Sequence, residues 1–224
     1  MVYFGCQFLR VDNTRSKAEN SIGKFFNTEA SSMVDRHEKS GVPQTAIKQV
    51  QDIVSSNAKK VVDVGSGPGS VMIEFLKKGT SHVTGVDLSP EMNNTATKRI
   101  HEAGYSDEQF SLIQGSFLDI DSVECDAVSM HRVICCHPDK QAMIEKSTSL
   151  NPEVISITVP RTWIFFRLVT AVFGIVAKFR SSFRPYIHSQ KYIDREYRNL
   201  GYELMSRKKT LGWVQSTYKK IDQS

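Results

Sequence analysis

The stretch Val61-Val-Asp-Val-Gly-Ser-Gly-Pro-Gly69 joins a short apolar run to a turn that contains three glycines. Glycine lets the backbone turn sharply and approach a ligand without a Cβ clash, and the run before it has the pattern of a buried strand. In an open parallel sheet, ligands bind beyond the carboxyl ends of the strands, where the strand order reverses. The stretch therefore predicts a first strand followed by a ligand-binding turn.

Strand and helix patterns alternate along the chain after this turn. Alternation of this kind indicates βαβ units, which close right-handed into a parallel sheet. We predict a doubly wound α/β fold with a mostly parallel, seven-stranded sheet whose last two strands form a hairpin. The predicted strands are 60–64, 82–87, 109–114, 125–130, 153–159, 202–207 and 211–218, and the helices between them are 70–78, 89–104, 138–148 and 189–201.

Three further helices are predicted before residue 58 and would form an N-terminal helical cap over residues 1–57. The first starts at the capping-box pattern of Ser16 and Glu19, and the second runs from about Thr28 to the C-cap residue Gly41. The third has Pro43 in its first turn. Residues 58–224 would then form the ligand-binding domain.

Two acids near the glycine turn indicate the ligand. Asp63 lies inside the first strand, where a pyrophosphate-binding turn would gain nothing from a carboxylate, and the third glycine, Gly69, comes one residue earlier than in a dinucleotide fingerprint. A ligand with an ammonium group would use Asp63, and S-adenosylmethionine carries one. Asp87, 22 residues after Gly65, can accept hydrogen bonds from both ribose hydroxyls. The alternative is that backbone N–H groups satisfy the Asp63 carboxylate.

These residues resemble the class I S-adenosylmethionine-dependent methyltransferases, a Rossmann-like family. Residues 61–69 match the first motif of the family, residues 83–92 match its second, and residues 114–119 lie where the family contacts adenine. That last position commonly holds an acid in the family, but here it is Ser116. Residues 126–139, together with segments 159–163 and 183–188, look most similar to the branch that contains magnesium-protoporphyrin O-methyltransferase.

The resemblance implies a methyltransferase with S-adenosyl-L-methionine as its cofactor and a small acceptor that is hydrophobic or carries a carboxylate. It also implies which residues contact the cofactor. These are Asp63, Gly65, Ser66, Gly67, Gly69, Asp87, Leu88, Met92, Ser116, Phe117 and Met130.

His131 and Arg132 are the candidate catalytic residues, because residues just past the fourth strand face the transferred methyl group in this fold. A histidine can act as a general base at neutral pH, and an arginine can anchor a carboxylate through two hydrogen bonds. The alternative for His131 is a structural role, in which the ring satisfies a backbone carbonyl. Both interpretations stay open at this stage.

The four cysteines predict neither a disulfide framework nor a metal site. Cys135-Cys136-His137 lacks the two- to four-residue spacing of paired zinc ligands, and Cys125 is too far along the chain to complete a set of four. Buried thiols at the start of a helix are the favoured interpretation, and no metal is predicted. So few cysteines, with no basic, continuous apolar start at residues 1–10, favour a cytoplasmic protein.

The apolar segment 163–178 is predicted to belong to a helical insertion after the fifth strand, 160–188, that covers the substrate. Its apolar run is shorter than a bilayer span and contains Arg167, so packing or roofing a pocket is favoured over peripheral contact with a membrane surface. Tyr186 and His188 are second-tier substrate candidates. The pair Phe25-Phe26 would be either part of the cap or an ordinary core pair.

The composition and the charge of the chain restrict the classes of protein and of binding partner that fit the sequence. About 40% apolar and 24% charged residues exclude a disordered chain. Residues 1–159 carry 16 Lys and Arg against 20 Asp and Glu, a net of −4, whereas residues 160–224 carry 13 against 4, a net of +9. Nucleic acid is nevertheless an unlikely partner, since the apolar segment is a poor lining for a phosphate track. The alternatives to a methyltransferase are a nicotinamide-dependent oxidoreductase and a non-catalytic cofactor-binding module.

Overall fold

A computed structural model describes residues 5–161 and 185–221, and the side chains from residue 14 onward within those ranges. The apolar segment 163–178, and with it most of the predicted insertion 160–188, lies outside the described residues. Among the described helices, none has the length and apolar character needed to cross a bilayer.

The core of the fold is one seven-stranded sheet with the order β3-β2-β1-β4-β5-β7-β6. The first five strands pair in parallel, while β7 pairs antiparallel with both β5 and β6, so the sheet is mixed. The order reverses between β1 and β4, which is where an open α/β sheet binds its ligand. The strands are β1 Lys60–Val64, β2 His82–Asp87, β3 Phe110–Gln114, β4 Ala127–His131, β5 Val154–Pro160, β6 Tyr202–Lys209 and β7 Trp213–Lys220.

Helices cover both faces of this sheet. From residue 60 onward, every predicted strand and helix agrees with the structure to within two residues at each end. The helices are α1 Gly5–Ser40, α2 Gln44–Val54, α3 Ser70–Lys77, α4 Pro90–Glu102, α5 Lys140–Ser149 and α6 Gln190–Asn199.

The prediction of three N-terminal helices is wrong. The first two are one continuous helix, α1. Ser16 therefore lies inside this helix instead of capping one, and no helix begins at Thr28. Residues 6–40 contain no proline, and their one glycine, Gly23, packs against the loop after β2, where a Cβ would lie 3.3 Å from the Leu88 carbonyl oxygen. Pro43 is the N-cap of α2 and not part of its first turn.

Alternate strand residues point to opposite faces, and each face has its own apolar cluster. Val62 of β1 belongs to the cluster that α5 and α6 cover, and Val61 belongs to the cluster that α2, α3 and α4 cover. All seven residues of β5 are buried. The two layers of helices hold the strand ends in register, which fixes where the loops after β1, β2, β3 and β4 can meet.

Candidate functional site

The turn after β1 depends on glycine for both its conformation and its packing. Gly65 and Gly67 have φ angles of 61° and 53°, in the left-handed region that residues with a Cβ rarely adopt. The Gly65 N–H donates to the Val86 carbonyl at 2.7 Å. A Cβ on Gly65 would lie 2.6 Å from Val133 Cγ2, so the turn is fixed between β2 and the loop after β4.

Gly65→Ala should therefore lower the free energy of unfolding by more than backbone strain alone. Positive φ costs a non-glycine residue about 1–2 kcal/mol, and crowding against Val133 adds about 1–3 kcal/mol. Gly79→Ala is the matched control, because Gly79 has a φ of 85° with nothing within 4 Å of its Cβ position. Urea unfolding measures both variants. Equal losses in the two would show that Val133 does not confine the turn.

Asp63 is a buried carboxylate in the middle of β1. Its Oδ1 accepts a hydrogen bond from the Ser129 hydroxyl at 2.7 Å, so a side chain and not a backbone N–H contacts it. Burial, with a smaller effect of the Asp87 carboxylate, raises the pKa of Asp63 to about 7. A cation placed beside this carboxylate would relieve the cost of its charge.

A chain of buried polar side chains supports Asp63. Gln49 of α2 donates through Nε2 to Ser129 Oγ at 2.9 Å and to the Ser156 carbonyl at 3.0 Å. Its Oε1 accepts from Thr158 Oγ1 at 2.8 Å. Gln49 is not among the residues predicted from the sequence, although a glutamine among Ala46, Val50 and Ile53 at the spacing of an apolar helix face is a signal that the sequence contains.

Asp87, at the end of β2, joins the glycine turn to the loop after its own strand. The Gly67 N–H donates to Asp87 Oδ2 and the Ser89 N–H donates to Oδ1, both at 2.9 Å. Burial raises the pKa of Asp87, against the lowering effect of these backbone hydrogen bonds. Beside it, the buried hydroxyl of Ser66 has no hydrogen-bond partner among the described residues. The Asp87 carboxylate retains acceptor capacity towards a ligand, whereas the Ser66 hydroxyl lies with Met72 and Leu112 over Gly85.

The apolar candidates for cofactor contact lie deeper. Met92 and Met130 are fully buried and Phe117 is nearly so, and the last two belong to the apolar cluster on the α5 and α6 face. Gly69 closes the turn at a φ of 77°, packed on Ala96 of α4. These side chains support the floor of the site, and their contact with a cofactor stays a prediction.

Ser116, just after β3, contacts the N-terminal helix. Its hydroxyl donates to Glu19 Oε1 at 2.6 Å and accepts from Arg15 Nη2 at 3.2 Å. The same Glu19 oxygen receives Arg15 Nε at 3.0 Å and His137 Nε2 at 3.3 Å. Burial would raise the pKa of Glu19, but the hydrogen bonds from His137, Ser116 and Arg15 outweigh it and lower that pKa to about 2. These contacts hold the Glu19 carboxylate in place beside the carboxyl end of β3.

His131, the last residue of β4, is a neutral imidazole. Burial, with smaller effects of the Arg132 and His37 charges, lowers the pKa of His131 to about 3. Its Nε2 lies 3.0 Å from the Thr45 hydroxyl of α2, so the ring has a side-chain partner and not the backbone carbonyl considered above. A base this weak removes protons poorly at neutral pH.

Arg132 has an unusual backbone and an unusual environment. Its φ of 64° is in the left-handed region, and its guanidinium lies over the Trp213 ring, 4.1 Å from the centroid. Burial lowers its pKa, and within the described ranges its buried Nε has no hydrogen-bond partner and no carboxylate pairs with it. Strained backbone and an unpaired cation beside the candidate cofactor turn are typical of functional sites.

The other singled-out residues pack around the turn after β4. The thiols of Cys135 and Cys136 both donate to the Arg132 carbonyl at 3.3 Å. The Tyr186 N–H donates to the Cys135 carbonyl at 2.6 Å, and His188 Nε2 donates to the Ile134 carbonyl at 3.0 Å. The chain thus returns to the site from residues 185–188. On α1, the rings of Phe25 and Phe26 meet edge to face, 5.2 Å apart.

Comparison with solved structures identifies proteins that have a similar fold. The chain is similar to magnesium protoporphyrin IX methyltransferase from Synechocystis PCC 6803 with bound S-adenosylhomocysteine (TM-score 0.68, 18% identity, 86% of this chain and 96% of that one). It is also similar to 1,6-didemethyltoxoflavin-N1-methyltransferase from Burkholderia thailandensis (TM-score 0.66, 16% identity, 93% and 91%). The fold is therefore that of the Rossmann-like methyltransferases, as predicted.

Sequence comparison gives the family. Residues 61–152 match the family model described as a methyltransferase domain. Over 78 residues the chain is 31% identical to ribosomal protein L11 methyltransferase from Lachnospira eligens, which is 35% of this chain and 24% of that protein. The chain spans less than half the length of the curated relatives it matches. The family match and the fold together support the resemblance to class I S-adenosylmethionine-dependent methyltransferases that the sequence indicates.

Proposed function

We propose that this protein transfers a methyl group from S-adenosylmethionine to a small acceptor that is hydrophobic or carries a carboxylate. The observation that carries the proposal is the pair of carboxylates on either side of the glycine turn. Asp63 is buried with its pKa raised, and Asp87 is bonded to the Gly67 N–H of that turn. One carboxylate suits an ammonium group and the other suits a ribose diol, which are the two polar ends of this cofactor.

The residues present fit the cofactor. Asp63 would face its ammonium group and Asp87 its ribose hydroxyls, with the glycine turn between them. When bound, S-adenosylmethionine supplies an electrophilic methyl on a sulfonium, so the chain has to align a nucleophile and exclude water. The fully buried Met130 of β4 would contribute to that exclusion.

Arg132 and His131 would serve the acceptor. The guanidinium of Arg132, which pairs with no carboxylate of the described residues and lies over Trp213, would offer two parallel donors to a carboxylate. The neutral ring of His131, whose pKa is about 3, suits orienting the acceptor better than taking its proton. Two solved structures with this fold, described above, act on small molecules by their names, and this supports an acceptor of that class.

Two measurements test the proposal against its alternatives. Isothermal titration with S-adenosylhomocysteine and with NAD separates a methyltransferase from a nicotinamide-dependent oxidoreductase. Transfer of a tritiated methyl group from S-adenosylmethionine to the small-molecule fraction of a cell extract separates an enzyme from a non-catalytic binding module. Binding of NAD with no binding of S-adenosylhomocysteine would overturn the proposal.

Arg132→Gln should reduce tritiated-methyl transfer to that fraction by about tenfold or more, because a charge-assisted hydrogen bond contributes about 1.5–3 kcal/mol. Affinity for S-adenosylhomocysteine should stay unchanged. Arg198→Gln, on the exposed face of α6, is the matched control. Equal transfer by the wild type and Arg132→Gln would remove Arg132 from the acceptor site.

A further inference from the structure

The N-terminal helix α1 runs past the carboxyl ends of three neighbouring strands. Met33 Cε lies 3.7 Å from the Cβ position of Gly67, after β1. Going back along the helix, Asn27 Oδ1 accepts from Ser89 Oγ at 2.5 Å, after β2. Gly23 packs on the Leu88 carbonyl, and Glu19 contacts Ser116 after β3. A single helix thus passes the three strand ends beside which the proposed cofactor would lie.

The order of these contacts fixes which part of a nucleoside would meet which part of α1. A ribose held by Asp87 lies between the glycine turn on one side and the exit of β3 on the other. The amino acid end of the cofactor would then lie on the side of the glycine turn, near Asp63. The base must therefore extend towards β3, between Leu88 and Ser116. Glu19 is the α1 residue at that end of the crevice.

The carboxylate of Glu19 has the chemistry to recognise a base. Its pKa is lowered to about 2, so it is charged at neutral pH, and its side chain is 12% exposed. The donors from Arg15, Ser116 and His137 all reach Oε1. An ionised carboxylate has about four acceptor positions over two oxygens, so Oε2 retains capacity for a donor. The exocyclic amine of adenine is such a donor, whereas hypoxanthine has a carbonyl oxygen there.

We propose that Glu19 is a base-recognition residue, which accepts a hydrogen bond from the exocyclic amine of the adenine and thereby selects amino-purine nucleosides. The inference rests on the proposed function, since it places the nucleoside through Asp87. Arg15, Ser116 and His137 are positioning residues for this carboxylate.

Calorimetric titration of the wild type and Glu19→Gln with S-adenosylhomocysteine and with its deaminated analogue, S-inosylhomocysteine, tests the proposal. We expect the wild type to prefer the adenosyl ligand by about tenfold or more, because a charge-assisted hydrogen bond is exchanged for repulsion between two acceptors. In Glu19→Gln the preference should fall to about twofold or less, since an amide can donate to the carbonyl oxygen. Glu29→Gln, on the same helix in a half-exposed pair with Arg36, should keep the wild-type preference.

The outcomes separate the two proposals. If the wild type binds neither ligand, the proposed function fails. If the wild type binds both equally, or if Glu19→Gln keeps the wild-type ratio, the function stands and the role of Glu19 is refuted. The wild-type comparison needs no variant, so the test holds even where thermal unfolding shows that Glu19→Gln is poorly folded.

Discussion

Asp87→Ala should weaken the binding of S-adenosylhomocysteine by about 100-fold or more. Two hydrogen bonds from ribose hydroxyls to a carboxylate contribute about 1.5–3 kcal/mol each, and both are lost together. The variant also removes the hydrogen bond that the Gly67 N–H donates to Asp87 Oδ2 at 2.9 Å, so the glycine turn loses one of its contacts. Isothermal titration at constant salt measures the change in affinity.

Asp107→Ala is the control for Asp87→Ala, because it removes an exposed carboxylate that pairs with His101 at 2.8 Å, away from the glycine turn. It should bind S-adenosylhomocysteine as the wild type does. The interpretation of the site would be untenable if Asp87→Ala bound within about threefold of the wild type, a difference of less than 1 kcal/mol.

Asp63→Asn should abolish the pH dependence of cofactor binding. In the wild type, the pKa of Asp63 is about 7, so the carboxylate is mostly protonated below that pH and cannot pair with an ammonium group. Affinity for S-adenosylhomocysteine should rise by about tenfold per unit from pH 5.5 to 7 and then level off. The variant should bind about 10- to 100-fold more weakly than the wild type at pH 8, with a flat profile. A wild-type profile that is also flat would contradict the role of Asp63.

The same substitution should have the opposite effect on stability. A carboxyl whose folded pKa of about 7 exceeds its ordinary value of 3.8 destabilises the folded state as pH rises between these values. The loss approaches about 4 kcal/mol above pH 7 and is absent below pH 4. Asp63→Asn removes this loss, so its unfolding free energy relative to the wild type should increase from pH 4 to 7 in urea titrations. If Asp63→Asn binds the ligand more weakly than the wild type but is more stable, then Asp63 lowers the stability of the folded protein and serves ligand binding.

The sequence predicts the sheet well because its signals are local. Apolar runs such as residues 60–64 and glycines with positive φ, such as Gly79 and Gly104, mark where strands and helices end. The N-terminal helix was divided wrongly because the capping-box pattern at Ser16 is also local and does not report tertiary contacts. Glu19 completes no capping box, since its carboxylate is bonded across 97 residues of sequence to Ser116.

The candidate site was predictable only where its residues follow strands directly. Asp63, Asp87 and His131 are in or at the ends of strands, so the topology alone brings them to one edge of the sheet. Gln49 and Glu19 reach that edge from helices, and single-sequence periodicity does not say which strand ends a helix will cross. The pKa values follow from burial, which also becomes visible only once the helices are in place.

The insertion of β7 between β5 and β6 has a consequence for how the protein is made. β5 is buried along its full length, yet its outer neighbour, residues 213–220, is the last strand of the described chain. Until those residues have left the ribosome, this buried and mostly apolar strand has one row of unpaired backbone groups open to other nascent chains. In the folded sheet β7 covers this edge, and β6, with its exposed lysines, forms the outer boundary instead.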